Sequence, residues 1–328
     1  MVTFNQDILL KLYHQHFKKG NDFFANKDYF QAFLFFAKSL TIGEILNDPK
    51  LTVQAKLKIA NVQFKSRNLR EARNLYTELL EYTVVLSQKE LLQIKNRLGI
   101  TNMLMGRYQK ASKIFEELAK NEDPVARRKA YNNMGVLYYY LDTFFDEECM
   151  DKAIQNFERA YDLCHDDQLM KHKILRNLGM AFYEKKDYTT ALRKFKESLI
   201  LIEDKVELAH TLNEMAKVYI ELHDYEEALK NLREAEKILL NKKYRNLEEL
   251  SRNIFIHGLL SKKQGRIESA FTQFRTALQG FIEKEIYAEA ALVCREIYEM
   301  FKDRNPERAN FYLDQYKFYL NYLDPMEV

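Results

Sequence analysis

Polar and apolar positions alternate along this 328-residue chain with a long and nearly constant period. A polar turn is followed by an aromatic or aliphatic residue and, three positions later, by alanine. The phrase occurs at Asp28-Tyr29 with Ala32, Asn68-Leu69 with Ala72 and Arg107-Tyr108 with Ala111. It returns at Asp187-Tyr188 with Ala191, Asp224-Tyr225 with Ala228 and Arg266-Ile267 with Ala270. Ala153 and Ala309 complete a set of eight, and successive alanines stand 40, 39, 42, 38, 37, 42 and 39 residues apart. Four residues after each alanine comes Phe36, Tyr76, Phe115, Phe157, Phe195, Leu232, Phe274 or Leu313. Seven residues after it comes Ser39, Leu79, Leu118, Ala160, Ser198, Ala235, Ala277 or Tyr316. This i, i+4, i+7 stripe predicts an amphipathic helix, helix B, in each repeat.

Twelve residues before most of these alanines sits a small residue: Gly20, Ala60, Gly99, Gly179, Ala216 or Gly258, with Gly135 serving the fourth repeat. Glycine inside a helix costs about 1 kcal/mol relative to alanine. Its return at one register predicts a second helix, helix A, that its partner approaches closely. Asp28, Asn68, Asp187 and Asp224 can each accept a hydrogen bond from the first free amides of helix B, and Gln31, Glu71 and Glu227 resemble the third residue of a capping box. Each repeat is then an antiparallel helix pair that stacks on its neighbours. Nine glycines and four prolines, against about 23 and about 16 at ordinary usage, leave little room for many strands or long coil. The expected fold is all-α.

These residues resemble the tetratricopeptide (TPR) superfamily, whose repeat of about 34 residues has Gly at its eighth position, Ala at its twentieth and Phe or Tyr at its twenty-fourth. The likeness covers nearly the whole chain. It departs from the pattern in having no tryptophan, few closing prolines and a period of about 37–42 residues. The longer period implies longer helices, similar to those of the bacterial signalling-peptide receptors of the Rap, NprR and PlcR group. The resemblance implies a right-handed α-α superhelix of about eight helix pairs, residues 1–328 forming one domain and 306–328 a capping helix.

In such a superhelix helix A lines the concave groove through positions two, five, six and nine. In the third repeat these are Gln93, Asn96, Arg97 and Ile100, and in the fourth Lys129, Asn132, Asn133 and Val136. The fifth gives Lys173, Arg176, Asn177 and Met180, and the sixth His210, Asn213, Glu214 and Lys217. A side-chain amide carries donor and acceptor and can pair with the backbone of an extended peptide. Asparagine at position five or six in four consecutive repeats therefore reads as a peptide-holding ladder, or as four solvated side chains. Arg97, Lys129, Lys173 and Arg176 beside it suit a carboxylate terminus or an acidic protein tail. Phe255, Ile256 and Leu259 replace the polar set in the seventh repeat, as a pocket or as packing. Asn21 and Asn61, at the ninth position of the first two repeats, extend the polar lining.

Two further segments break the repeat. Around Asp142-Thr143-Phe144-Phe145-Asp146-Glu147-Glu148 about six residues are inserted, which extends a helix pair or exposes a sticky patch. From Pro306 to Tyr322 an aromatic-rich helix either caps the stack or forms a homodimer contact.

Lys+Arg 51 against Asp+Glu 48 gives a net charge of +3, and basic residues are interspersed with acids, so neither nucleic acid nor a membrane surface is an expected partner. Three cysteines without CxxC spacing point to free thiols and a cytoplasmic setting. No GxxxxGK[ST], GxGxxG, GxSxG or HExxH motif occurs, and Cys164 beside His165 lacks further zinc ligands. No cofactor, metal or enzymatic activity is expected. Only about a dozen residues precede the first repeat, so neither a helix-turn-helix domain nor the full N-terminal bundle of the Rap type is expected. The reading is a quorum-sensing-receptor-like module that binds a short peptide in its groove, with a complex-assembly scaffold or a phosphorelay regulator as alternatives.

Overall fold

The computed structural model describes residues 6–145, 147–165 and 167–323. Every regular element among them is a helix, and the chain divides into two compact units, Met1–Glu122 and Asp123–Val328. The first unit holds α1 (Gln6–Ala25), α2 (Tyr29–Ile45), α3 (Pro49–Lys65), α4 (Leu69–Leu79), α5 (Gln88–Leu104) and α6 (Tyr108–Ala119). The second opens with α7 (Pro124–Phe145), α8 (Met150–Asp162), α9 (Gln168–Glu184), α10 (Tyr188–Leu199) and α11 (Lys205–Glu221). It continues with α12 (Tyr225–Leu240), α13 (Leu247–Lys263), α14 (Ile267–Glu283), α15 (Tyr287–Phe301) and α16 (Pro306–Leu323). Odd-numbered helices are helix A and even-numbered ones helix B, and within each unit consecutive helices pack on one another.

The pairs close where the small residues predict. A Cβ placed on Gly179 would lie 2.6 Å from the Phe195 ring, and the same ring-over-glycine contact joins Gly20 to Phe36, Gly99 to Phe115, Gly135 to Phe157 and Gly258 to Phe274. These phenylalanines and the alanines of the repeat phrase are wholly or almost wholly buried. The A-to-B turns are also as expected. Asp28 caps α2, Asp187 caps α10 and Asp224 caps α12, each accepting from the amide three residues on at 3.0–3.2 Å. Asn68 makes no side-chain bond at the start of α4. The reciprocal capping box forms at Ser87 and Glu90, on α5, rather than at the three helix-B starts.

The insertion lengthens α7. Phe144 is buried against Tyr140, at 5.4 Å between ring centroids, and Asp142 accepts from the Met150 amide at 2.8 Å. Extension and packing, not an exposed patch, accounts for the described part of this segment; Asp146 lies outside the described residues. Helix α16 packs on α15 and buries Ala309, Tyr312 and Tyr319, while Phe311, Phe318 and Tyr322 stay exposed. Residues 324–328 of the expected capping helix lie outside the described residues. Among the described residues no helix is long and apolar enough to cross a membrane.

Candidate functional site

The helix-A faces of α9, α11 and α13 converge in unit 2 on a pocket of about 250 Å³. Arg176, Asn177 and Met180 come from the fifth repeat, His210, Glu214 and Lys217 from the sixth, and Arg252, Phe255 and Ile256 from the seventh. Each is at a groove position of its repeat. The lengthened end of α7 adds Tyr139 and Tyr140, and α15 adds Glu289 and Leu292.

Charge in this pocket is internally paired. Arg176 binds Glu207, which also takes Lys173 at 3.2 Å. Lys217 holds Glu214 at 2.9 Å and lies 4.8 Å from the centre of the Tyr183 ring. Arg252 bridges Glu249 of its own helix to Glu289 of α15, the latter at 2.6 Å, and His210 Nδ1 lies 2.9 Å from Glu249. Burial alone would raise the Glu249 carboxyl, but Arg252 and His210 outweigh it and hold the group at about 2. Glu207 is likewise pulled far below the carboxylate range against its burial, by His172, Arg176 and Lys173. Lys217 is pushed up, since Glu214 and Glu184 outweigh its burial. The arrangement is a set of mutual ion pairs around an aromatic wall. The anion preference expected of Lys173 and Arg176 is offset by Glu207, which pairs with both.

The asparagines divide. Asn177 donates to Asn132 Oδ1 at 3.1 Å, so two ladder members steady each other on adjoining helix-A faces. Lys129 and Asn133 are half-buried on α7. Asn213 is wholly buried: its amide meets the Glu249 carbonyl at 3.5 Å and its oxygen accepts from Asn253 at 2.7 Å. It joins α11 to α13 and presents nothing to a ligand, a correction to its place in the ladder. The third-repeat residues lie in unit 1. There Gln93 and Arg97 line a separate pocket of about 210 Å³ that Asn61 also borders, while Asn96 is half-buried on the same helix. Ile256 is fully buried and Phe255 packs its ring on Phe274 at 5.6 Å, so the apolar seventh repeat serves both packing and pocket.

Several contributors escaped the sequence reading. Arg252 occupies position two of the seventh repeat and was findable by the register that gave His210. Glu289 had no glycine to mark its register, and Tyr139 and Tyr140 arrive only because the insertion extends α7.

One constellation has the order of a hydrolase relay. Ser198 Oγ lies 2.8 Å from His172 Nδ1, and His172 Nε2 lies 3.5 Å from Glu207. Ser198 is wholly buried and donates to the His172 carbonyl at 3.2 Å, so its hydroxyl ties α10 to α9 out of reach of any acyl donor.

Helix pairs with this glycine, alanine and phenylalanine register define a tetratricopeptide-type fold, and residues 171–241 match the tetratricopeptide repeat family. No curated protein matches the chain in sequence. Among solved structures, a Rap protein complexed with Competence and Sporulation Factor is similar at a TM-score of 0.67 and 14% identity, over 98% of this chain and 100% of that one. The Rap conjugation gene regulator of plasmid pLS20, in complex with the Phr* peptide, gives 0.69 and 13%, over 98% and 95%. Aspartyl phosphate phosphatase F from Bacillus subtilis gives 0.61 and 13%, over 87% and 75%.

Proposed function

We propose that this protein is a non-enzymatic intracellular regulator that binds a short extended peptide in the unit 2 pocket. The observation that carries the reading is the convergence of groove positions from three consecutive repeats on one concave site. Two of the similar structures hold a named signalling factor or peptide, which supports the same reading. The paired charges favour a ligand recognised by its backbone and by an apolar side chain set against Tyr139, Tyr140 and Phe255, in place of an acidic tail. Asn177 and Asn132 supply the amide groups for the main chain.

Mass spectrometry of material retained from lysate and culture medium tests this. Wild type is expected to hold a peptide of about ten residues or fewer. Asn177→Ala is expected to weaken it by roughly 1–3 kcal/mol, or about 5- to 150-fold, and Phe255→Ala by a similar amount. Unchanged retention in both variants sinks the reading. Retention of one large protein by wild type and variants alike favours the scaffold, for which Phe311, Phe318 and Tyr322 on α16 offer a docking or homodimer surface.

A further inference from the structure

The α1–α2 pair leaves one side open. Along α1, Ile8, Leu12, His16, Lys19 and Phe23 recur at i, i+4, i+8, i+11 and i+15, which is one face of a helix. Along α2, Leu34, Lys38 and Ile45 recur at i, i+4 and i+11. Ile8, Leu12, Leu34 and Ile45 are exposed. Phe35 joins the two stripes, its ring stacked on Phe23 at 5.4 Å and 5.8 Å from the ring of His16. Lys19 Nζ and Lys38 Nζ sit 5.6 and 5.0 Å from the centre of that same ring. Among the described residues no ion pair holds either lysine. Burial, with Lys38 and Lys19 beside it, pulls His16 below the ordinary imidazole value and leaves the positive charge here to the lysines. The result is an apolar seam edged by two uncompensated ammoniums.

Helix α16 carries the converse pattern. Glu307, Phe311, Asp314, Phe318 and Tyr322 recur at i, i+4, i+7, i+11 and i+15, and all five are exposed. Among the described residues no ion pair holds Glu307 or Asp314. Phe311 stands between the two carboxylates as Phe35 stands between the two ammoniums. The spacing agrees: Glu307 and Asp314 are about 10.5 Å apart along the helix. Two lysines that share one ring centre lie no farther apart than their two distances to it combined, which is within reach of that span. The order agrees as well. α1 and α2 run antiparallel, Tyr13 beside Ser39 and Gly20 beside Phe36, so the path along α2 beyond Lys38 leads to Ile45 and, on α1, to Leu12 and Ile8. The path along α16 beyond Asp314 leads to Phe318 and Tyr322. Exposed rings and opposite charges in one register make the two surfaces complementary.

We propose that α16 of one copy of this chain docks in the α1–α2 seam of a second copy, with Glu307 on Lys19, Asp314 on Lys38 and Phe311 against Phe35. The contact is heterologous, because each copy brings one seam and one α16, and association therefore runs past the pair. None of these residues lines the unit 2 pocket, so the peptide reading is tested separately. The test is sedimentation velocity of the full chain over a concentration series. Wild type is expected to grow beyond a dimer as concentration rises. Lys19→Glu with Lys38→Glu, and Glu307→Lys with Asp314→Lys, should each weaken self-association about tenfold or more. An equal mixture of the two charge-reversed chains should associate again, because every seam then meets an α16 of opposite sign. Where a melting curve shows that a reversed chain fails to fold, Lys19→Gln with Lys38→Gln, or Glu307→Gln with Asp314→Asn, takes its place and should lose association likewise. A wild type that stays monomeric overturns the proposal, and so does a mixture that stays apart. A dimer kept at wild-type strength by the folded lysine variant overturns it too, since α16 would then be pairing with α16.

Discussion

At the scale of single residues, Glu249 couples the unit 2 pocket to acidity. Its side chain is 7% exposed and meets both Arg252 and His210. Its carboxyl titrates at about 2 in the folded protein against 4.5 as the reference. A lowered folded value contributes stability that is complete above the unfolded pKa and is lost as pH falls through the folded one, here from about 4.5 to about 2. The contribution is about 3 kcal/mol. Urea titrations at pH 7 and pH 3 should therefore show a steep loss in wild type. Glu249→Gln is expected to be less stable at pH 7 by about 2–4 kcal/mol and to lose less on acidification; equal acid sensitivity would remove Glu249 from this role. The sequence disclosed His210 as a groove residue because it shares a register with the alanines. It did not disclose that buried Glu249 would claim His210, because Glu249 falls between groove positions and its partner is set by how α11 packs on α13. Asn213 was misplaced for the same cause: helical register gives a direction, and the neighbouring helix decides whether that direction opens on solvent.

At the scale of the element, the A-to-B turns follow one backbone solution. Lys27, Arg67, Lys186 and His223 take positive φ, between 59° and 64°, and Gly106 and Gly265 take the same place in two other turns. Non-glycine residues there carry a left-handed conformation costing roughly 1–2 kcal/mol. Lys186→Gly is expected to raise stability by roughly 0.5–1 kcal/mol after the added freedom of the unfolded chain is set against the relieved strain; a fall in melting temperature would refute this. The starts of the helix-B elements were legible to the residue at Tyr29, Leu69, Tyr108, Tyr188, Tyr225 and Ile267, since an aspartate, asparagine or arginine turn and a fixed alanine mark them. The role of the α7 extension was not. Phe144 and Phe145 are as apolar as a sticky loop would be, and only the packing of Tyr140 on Phe144 shows the segment continuing as helix and raising two tyrosines into the pocket.

At the scale of the whole molecule, eight helix pairs were countable from the alanine spacing, but the division at Glu122 was not. The spacing across that point is 42, the same as between Ala228 and Ala270. Stability in such arrays is nearly a sum of repeat and neighbour terms, so a ligand that touches three repeats should stabilise those locally. Hydrogen exchange with bound peptide is expected to slow in α9, α11 and α13 and to stay unchanged in α1 to α6; protection confined to α1 to α6 would count against the unit 2 site. The polar ties between repeats have a further consequence. Stacked helix pairs of similar shape share one generic apolar surface, and nothing in that surface distinguishes the correct neighbour from a copy one place along. Here the junctions carry different locks: Asn132 with Asn177, Arg176 with Glu207, Asn213 with Asn253, Arg252 with Glu289, and Lys262 with Glu296. A pair stacked out of turn would bury one half of a lock against the wrong half, leaving a charge or amide stranded. The order of the repeats is in effect spelled out by these mismatched keys, and a chain with two repeats exchanged would keep its hydrophobic stripe and lose its address.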